Sequence, residues 1–208
     1  VGLIRTAVDR MGFTGVHTIC NDATKPNPAL PMADRILTDV PCSGLGILAK
    51  KPDMRYKKLE AARQAELLAT QAAILDTAAA LLKAGGRLVY STCTIDPAEN
   101  QQQIAAFLQR HPEFTLADVF GNVDYSFGSP GEANRTGGLP LDVSKVRRIW
   151  PCQGGEGHFI ARLVKAGTPR ALPAPGTYTA EEELWLAAAA EQSKKQKGSR
   201  GGKPAKAP

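Results

Sequence analysis

Two short blocks, each centred on a cysteine, hold the residues of this sequence that are best suited to chemistry. The first block is Asp-Val-Pro-Cys-Ser-Gly at residues 39–44, and the second is Tyr-Ser-Thr-Cys-Thr at residues 90–94. A thiolate is a strong nucleophile, and a second ionisable group beside it can move a proton in the same reaction. Cys42 and Cys93 therefore predict a site of covalent catalysis, if the fold brings the two thiols together.

One reaction that suits such a pair is methylation at C5 of cytosine, a carbon that is too weakly nucleophilic to attack a methyl donor by itself. A thiolate that adds to C6 moves electron density onto C5. After methyl transfer, a second group assists the loss of the C5 proton and the release of the thiolate. The structural alternative is that both cysteines are small buried core residues, and composition alone favours that alternative.

The secondary-structure pattern places both cysteines just beyond predicted β-strands. Residues 35–39 and 87–91 have the composition of strands, and a helical pattern covers about residues 59–83 between them. A further strand at residues 16–20 is predicted to end beside Asp22. Ligands of open α/β sheets bind at the carboxyl ends of the strands, so the two thiols are expected at that edge.

The remaining elements complete an α/β pattern. A helix is predicted from the N-terminus to Gly12, and another from the capping sequence at residues 96–99 to about Arg110. Residues 146–150 and 158–164 predict a hairpin at one edge of the sheet. The predicted fold is a mostly parallel, doubly wound sheet with an antiparallel C-terminal hairpin.

Composition limits the classes of protein that fit. The chain has 208 residues, of which 43% are hydrophobic, and this is enough for one core within residues 1–166. Residues 167–192 are predicted to form a linker and short helix, and residues 193–208 a disordered basic tail. No apolar run is long enough to span a membrane, no signal peptide is recognisable, and the cytoplasm is the predicted location.

Charge and cysteine spacing point to the partner. The formal net charge of +6 favours an anionic partner, nucleic acid first. Lys50, Lys51 and Arg55 follow the first cysteine block and could hold RNA phosphates or could form a solvated surface. The four cysteines lie far apart without a C-x-x-C spacing, so neither a metal site nor a disulfide framework is expected.

Three ordered motifs make residues 16–165 resemble the catalytic domain of the Sun (RsmB/RsmF) family of RNA cytosine-5 methyltransferases. The first is Asp-Val-Pro-Cys-Ser-Gly-Leu-Gly at residues 39–46, followed by Lys-Pro-Asp at 51–53. The second is Leu-Val-Tyr-Ser-Thr-Cys-Thr at residues 88–94, followed by Glu99 and Asn100. The third is Gly-His-Phe-Ile-Ala at residues 157–161.

The resemblance implies a function and a role for each matched residue. It implies a Rossmann-like class I fold, S-adenosylmethionine as cofactor and 16S ribosomal RNA as substrate. In that family the cysteine that matches Cys93 is the nucleophile, and the one that matches Cys42 assists release. Asp22 matches an acidic position near the cofactor adenosine. Asp39 matches the carboxylate beside the base and the methionine end of the cofactor.

Some features depart from the family pattern. No glycine-rich turn follows a strand in this sequence, and in the family that turn lies upstream of the region matched here. The chain is therefore expected to lack the first two strands of the domain, to bind the cofactor weakly and to be poorly stable. The segment at residues 44–53 is similar to RsmB-type enzymes, which we favour, whereas residues 148–151 and 155–159 are similar to RsmF-type enzymes.

Two alternatives stay open at this point. A DNA cytosine-5 methyltransferase would also use a thiol, but there the cysteine of the Pro-Cys block, Cys42, would attack the base. A catalytically inactive, basic RNA-binding remnant would keep the fold and bind RNA without needing either cysteine. The oligomeric state and the modified cytidine do not follow from the sequence.

Overall fold

The computed structural model describes residues 1–56, 60–121, 127–153 and 155–168. They fall into two compact units, and each is treated by itself. The first unit holds residues 1–22 and 27–31, and the second holds residues 23–26 and the described residues from 32 onward. The predicted division at residues 166 and 192 stays a prediction, because residues 169–208 lie outside the described part.

The first unit contains the predicted N-terminal helix but lacks the predicted strand. Helix α1 (Gly2–Met11) ends at Gly12, whose φ of 70° turns the chain there. The Gly12 N–H donates to the Asp9 carbonyl at 3.3 Å, and the Phe13 N–H donates to the Val8 carbonyl at 3.2 Å. The predicted strand at residues 16–20 is wrong, because no described strand pairs with this segment. It is held instead by side chains such as Arg5, whose Nε donates to Thr18 Oγ1 at 2.7 Å.

The second unit is a five-stranded sheet with two helices. Its strands are β1 (Ala33–Asp39), β2 (Leu82–Thr92), β3 (Phe114–Ala117), β4 (Arg147–Ile149) and β5 (His158–Lys165), and its helices are α2 (Ala61–Leu81) and α3 (Gln101–Arg110). The strand order is β1-β2-β5-β3, and β4 also pairs with β5. The α/β class is thereby confirmed.

The sheet is mixed, and its single described parallel pair is the one that matters for the cysteines. β1 and β2 run parallel, joined by the α2 crossover, whereas β5 is antiparallel to β2, β3 and β4. The predicted antiparallel hairpin of β4 and β5 is confirmed. The hairpin also lies at an edge of the sheet, as predicted, because β4 pairs with no described strand except β5. β3 shares this edge by pairing with the other end of β5.

The core lies between the sheet and the two helices. Leu88 and Tyr90 of β2 alternate with less buried residues, as the two-residue period of a strand requires. Phe159, Ala161 and Leu163 do the same on β5. The helices cover that face of the sheet with Leu75, Ala78, Ala79, Ile104 and Phe107. This packing holds in place the sheet from which the loops that carry Cys42 and Cys93 extend.

The transition from α2 into β2 differs from the prediction in its detail. The helix ends at Leu81 and the strand begins at once, so the glycine pair at residues 85–86 does not end the helix. Gly85 adopts a φ of 73° within a bulge that shifts the register of β2 against β1. Its backbone N–H donates to the Ala166 carbonyl at 3.3 Å.

A buried arginine ties β4 to the segment before α3. Arg148 is 1% exposed and donates to Gln101 Oε1 at 2.9 Å and to the Ile95 carbonyl at 2.6 Å. Its guanidinium also stacks 4.4 Å from the centre of the Trp150 ring. Burial lowers the pKa of Arg148, but an arginine keeps its charge at any physiological pH. The arginine therefore anchors the chain just beyond Cys93.

Among the described helices, none combines the length and the apolar character that crossing a bilayer requires.

Candidate active site

The fold brings Cys42 and Cys93 into direct contact. Their sulfur atoms lie 3.2 Å apart, within hydrogen-bonding range for sulfur, and both cysteines are half-buried. Both thiols are free rather than joined in a disulfide. The structure thus brings the two thiols together at one edge of the sheet.

Parallel pairing of β1 with β2 is the reason for this contact. Asp39, the last residue of β1, is the register partner of Ser91 near the end of β2. Cys42 and Cys93 follow these two residues closely, so both loops leave the same edge of the sheet. The backbone N–H of Val40 still donates to the Ser91 carbonyl at 3.3 Å, which carries the pairing beyond the strand end.

The contact has an electrostatic consequence for Cys42. Burial, and next the hydrogen bond with the Cys93 sulfur, raise the pKa of the Cys42 thiol from an ordinary 9.0 to about 12. At neutral pH Cys42 therefore keeps its proton and can donate it in a hydrogen bond to the Cys93 sulfur.

We expect the raised pKa to make Cys42 slow to alkylate. At pH 8 iodoacetamide should modify Cys42 at least about tenfold more slowly than the exposed Cys20, because only a thiolate reacts. The Cys42 rate should climb steadily as the pH rises towards 12. Peptide mass spectrometry after timed labelling measures both rates in one sample.

The Cys93→Ala variant separates ionisation from access to the reagent. Removing the Cys93 sulfur takes away one cause of the raised pKa, so labelling of Cys42 at pH 8 should become faster. Equal rates for Cys42 and Cys20 in the wild type would contradict the assignment.

The raised pKa of Cys42 also makes stability depend on pH. The folded state binds more protons than the unfolded state between pH 9.0 and about 12, so the contribution of the protonated Cys42 thiol to stability is present below pH 9.0 and is lost as the pH rises towards 12.

A fully buried carboxylate holds the loop that carries Cys42. Glu99 Oε2 accepts from the backbone N–H of Ser43 at 2.9 Å and from Gln71 Nε2 at 2.8 Å. The same Gln71 nitrogen donates to the Pro41 carbonyl at 3.0 Å. The prediction that Glu99 caps the first turn of α3 is therefore wrong, because the helix begins at Gln101 and Glu99 points into the core.

The next residue holds the loop that carries Cys93. Asn100 Oδ1 accepts from Thr92 Oγ1 at 2.6 Å, and its Nδ2 donates to the Thr94 carbonyl at 2.9 Å. Asn100 is fully buried. A further hydrogen bond joins the two loops, since the hydroxyl oxygens of Ser43 and Thr94 lie 2.8 Å apart.

Two glycines allow three backbone segments to meet beside Cys93. The N–H of Gly46 donates to the Cys93 carbonyl at 3.0 Å, and the N–H of Gly157 donates to the Gly46 carbonyl at 2.9 Å. A Cβ atom on Gly46 would lie 1.9 Å from the Gly157 oxygen. Only glycine fits at residue 46, because the opposing atoms belong to backbone.

The two acidic residues predicted for the cofactor lie in different units. Asp39 is exposed at the end of β1, and its Oδ1 accepts from Ser91 Oγ at 3.1 Å. The structure thus places Asp39 at the same sheet edge as the two thiols. Asp22 is an exposed residue of the first unit.

The basic residues predicted for RNA have different surroundings. Lys50 is exposed and forms an ion pair with Glu156, whose pKa its hydrogen bond lowers. Lys51 is exposed, and its backbone N–H caps the short turn at Leu45–Ile47 by donating to the Ile47 carbonyl. Arg55 belongs to the short helical segment Pro52–Tyr56. The neighbouring residues 57–59 lie outside the described part.

Several residues of the site were missed as functional candidates. Glu99 and Asn100 stood in a recognised motif, but only a capping role had been inferred for Glu99. Gln71 lies in the middle of a long helix, where one glutamine among alanines and leucines gives no sequence signal of a buried contact. Gly46 and Gly157 belong to the first and third motifs, which marks them as candidates. No local sequence pattern indicates that these two glycines contact each other.

Comparison with known proteins matches this chain to a protein family. The family model described as 16S rRNA methyltransferase RsmB/F matches residues 2–164. A Bacillus subtilis protein described as a probable ribosomal RNA small subunit methyltransferase B is 48% identical over 118 residues, covering 55% of this chain and 26% of the relative. A Synechocystis protein with the same description is 48% identical over 161 residues, covering 76% and 33%. The chain thus spans about a quarter to a third of these relatives.

Solved structures give the same result for the fold. The structure titled PH0851 matches with a TM-score of 0.66 at 33% identity, covering 78% of this chain and 34% of that one. The structure of NSun6 from Pyrococcus horikoshii, solved with SFG, matches with a TM-score of 0.63 at 29% identity. That match covers 79% of this chain and 38% of the other.

Proposed function

This chain belongs to the 16S rRNA methyltransferase RsmB/F family, and from that membership we propose that it methylates C5 of a cytidine in 16S ribosomal RNA through a covalent bond to Cys93. The observation that supports this proposal most directly is the 3.2 Å separation of the Cys42 and Cys93 sulfurs at the ends of two parallel strands. A second thiol at that distance suits a reaction that must both form and break a bond to the first.

The first half of the proposed reaction uses Cys93 as the nucleophile. Its thiolate adds to C6 of the cytosine, and the electron pair of the C5=C6 double bond moves to make C5 nucleophilic. The hydrogen bond from the Cys42 thiol stabilises the attacking thiolate before the bond forms. C5 would then attack the methyl group, and the electron pair of the broken methyl–sulfur bond would stay on the sulfur of the departing donor.

The second half uses Cys42. When the Cys93 sulfur is bonded to carbon, its hydrogen bond with Cys42 weakens, and this second cause of the raised Cys42 pKa is reduced. Burial, the larger cause, still acts, so the step uses the minor fraction of Cys42 that has lost its proton to solvent. The Cys42 thiolate then takes the proton from C5, the C–H electron pair restores the C5=C6 double bond, and the C6–S pair returns to Cys93. The reprotonated Cys42 thiol again donates to Cys93.

S-Adenosylmethionine is the proposed methyl donor, and it supplies a methyl group that is activated by a positively charged sulfur. Asp39 fits this group chemically, because an exposed carboxylate at the end of a parallel strand suits a cationic ligand in the crevice of an α/β sheet. We propose that Asp39 holds the methionine end beside the thiols. We assign Asp22, which lies in the first unit, to the adenosine as a proposal from the family resemblance.

RNA phosphates are the proposed ligands of the basic residues after the first cysteine block. Lys51 is exposed and carries a charge suited to a phosphate. Lys50 is paired with the Glu156 carboxylate, so an RNA phosphate would have to displace that carboxylate to bind Lys50. Arg55 completes the proposed set.

The proposal is tested by transfer of labelled methyl from S-adenosylmethionine to unmodified 16S RNA. At saturating S-adenosylmethionine, which offsets the weak cofactor binding expected from the sequence, we expect label in 5-methylcytidine with the wild-type protein and transfer at background level with Cys93→Ala. Cys152→Ala is the matched control, because Cys152 is exposed and its removal tests cysteine loss alone. Equal transfer by wild type and Cys93→Ala, or label at another atom of the base, would contradict the proposal. Transfer to unmodified DNA in preference to RNA would favour the DNA methyltransferase alternative.

A further inference from the structure

Adjacent residues Glu99 and Asn100 support the residues on both sides of one cysteine each, Asn100 directly and Glu99 partly through Gln71. Glu99 holds the residue after Cys42 directly, by accepting from the Ser43 N–H. It holds the residue before Cys42 through Gln71, which donates both to Glu99 and to the Pro41 carbonyl. Asn100 bonds the residues before and after Cys93 in the same way. One peptide bond therefore links the supports of both thiols.

We infer that Glu99 and Asn100 are positioning residues that fix the separation of the two thiols. Because they are neighbours in the chain, the two cysteine loops are held by a single rigid segment rather than by two independent ones. The backbone of this segment is itself fixed, since the Tyr90 hydroxyl donates to the Glu99 carbonyl at 2.7 Å. Tyr90 is completely buried and lies on β2, the strand that leads to Cys93.

The burial and hydrogen bonds of Glu99 support a positioning role rather than a role in filling space in the core. A buried carboxylate is costly unless polar groups satisfy it. Here both donors, Ser43 N and Gln71 Nε2, bond one oxygen, Oε2. The other oxygen, Oε1, is buried and has no hydrogen-bond partner among the residues that the structure describes. The contacts of Glu99 are thus directed at the Cys42 loop, and they leave part of the group unsatisfied.

The inference rests on the proposed function only for the role of the thiols in methyl transfer. Their separation can be measured without RNA or a methyl donor. Diamide oxidises two neighbouring thiols to a disulfide: the thiols lose two protons and two electrons, and the N=N bond of diamide becomes an N–N bond that carries both hydrogens. The rate of this reaction depends on how often the two sulfurs meet in a suitable geometry.

The experiment compares variants in a background of Cys20→Ser and Cys152→Ser, so that only the paired thiols remain. Glu99→Ala and Asn100→Ala should each form the disulfide at least about tenfold more slowly than the parent. Glu99→Gln should stay within about twofold, because the amide oxygen can still accept at the position of Oε2. Loss of thiol groups and the mass of the linked peptides give the rates.

Gln102→Ala is the matched control. Gln102 lies two residues beyond Asn100 and donates to the Arg135 carbonyl at 3.4 Å, and no described hydrogen bond links its side chain to either cysteine block. The Gln102→Ala protein should oxidise at the parental rate. If Glu99→Ala does not fold, Gln71→Met decides instead, since it removes the bond to Pro41 and should also slow the oxidation.

The outcomes separate this inference from the proposed function. Parental oxidation rates in folded Glu99→Ala and Asn100→Ala, or an equal slowing in Gln102→Ala, would overturn the positioning role. Slow oxidation in Glu99→Ala and Asn100→Ala, found together with a wild type that transfers no methyl group, would support the positioning role and count against the proposed reaction. Slow oxidation together with a lowered kcat and an unchanged KM for RNA would support both.

Discussion

Replacement of Cys42 by alanine is expected to trap the protein on its RNA. Without the Cys42 sulfur, attack by Cys93 and methyl transfer still proceed, but loss of the C5 proton and release of the thiolate lack their assisting group. Proton transfer by a positioned side chain contributes about a hundredfold or more, so release should slow by that order. A protein–RNA complex that survives denaturation should therefore accumulate in Cys42→Ala.

Gel electrophoresis under denaturing conditions, with labelled 16S RNA and S-adenosylmethionine, measures the trapped complex. Cys93→Ala and the double variant should give none, because both lack the sulfur that bonds C6. The DNA methyltransferase alternative predicts the reverse, with the complex lost in Cys42→Ala and kept in Cys93→Ala. RNA binding that is indifferent to both substitutions, without any covalent complex in any variant, would instead support an inactive RNA-binding protein.

Gly46→Ala is expected to be the most destabilising single-methyl change in the site. The added Cβ would lie 1.9 Å from the Gly157 oxygen and 2.7 Å from the Cys93 oxygen, so backbone has to move away from backbone. Both hydrogen bonds of Gly46 to these neighbours would stretch with it. Overpacking of this kind costs about 3 kcal/mol of unfolding free energy. Methyl transfer should fall as well, because the movement displaces Cys93.

Urea denaturation measures this loss as a lower midpoint with an unchanged slope. Gly155→Ala is the matched control in the loop before β5, because its Cβ would meet only Ile149 Cγ2 at 3.8 Å. That control should stay within about 0.5 kcal/mol of the wild type. A Gly46→Ala protein as stable as Gly155→Ala would show that the three backbone segments do not pack as described.

Local sequence patterns predicted the elements that carry the site. The strand compositions at residues 35–39 and 87–91 and the helical pattern between them correspond to β1, β2 and α2. These elements are long or strongly patterned, and their signal lies within each segment. The predicted strand at residues 16–20 failed because a strand needs a partner, and β composition does not reveal whether a partner is available.

The start of α3 shows a different limit. Asp96, Pro97 and Glu99 have the residue types of a helix start, and Asp96 does form a local turn by accepting from the Ala98 N–H at 2.9 Å. The helix nevertheless begins later, because Glu99 bonds Ser43 and Gln71 instead of its own first turn. A long-range contact therefore outweighed a local capping preference.

The sequence by itself determined which residues could react and at which strand ends they lie. Motif and periodicity were sufficient for that, because both are properties of short segments. Only the tertiary structure decided that Cys42 and Cys93 touch, that Glu99 and Asn100 support them, and that Gly46 packs on Gly157. Each of these contacts joins segments that lie far apart in the chain, and their distances are set by the parallel register of β1 and β2 and by the packing of β5.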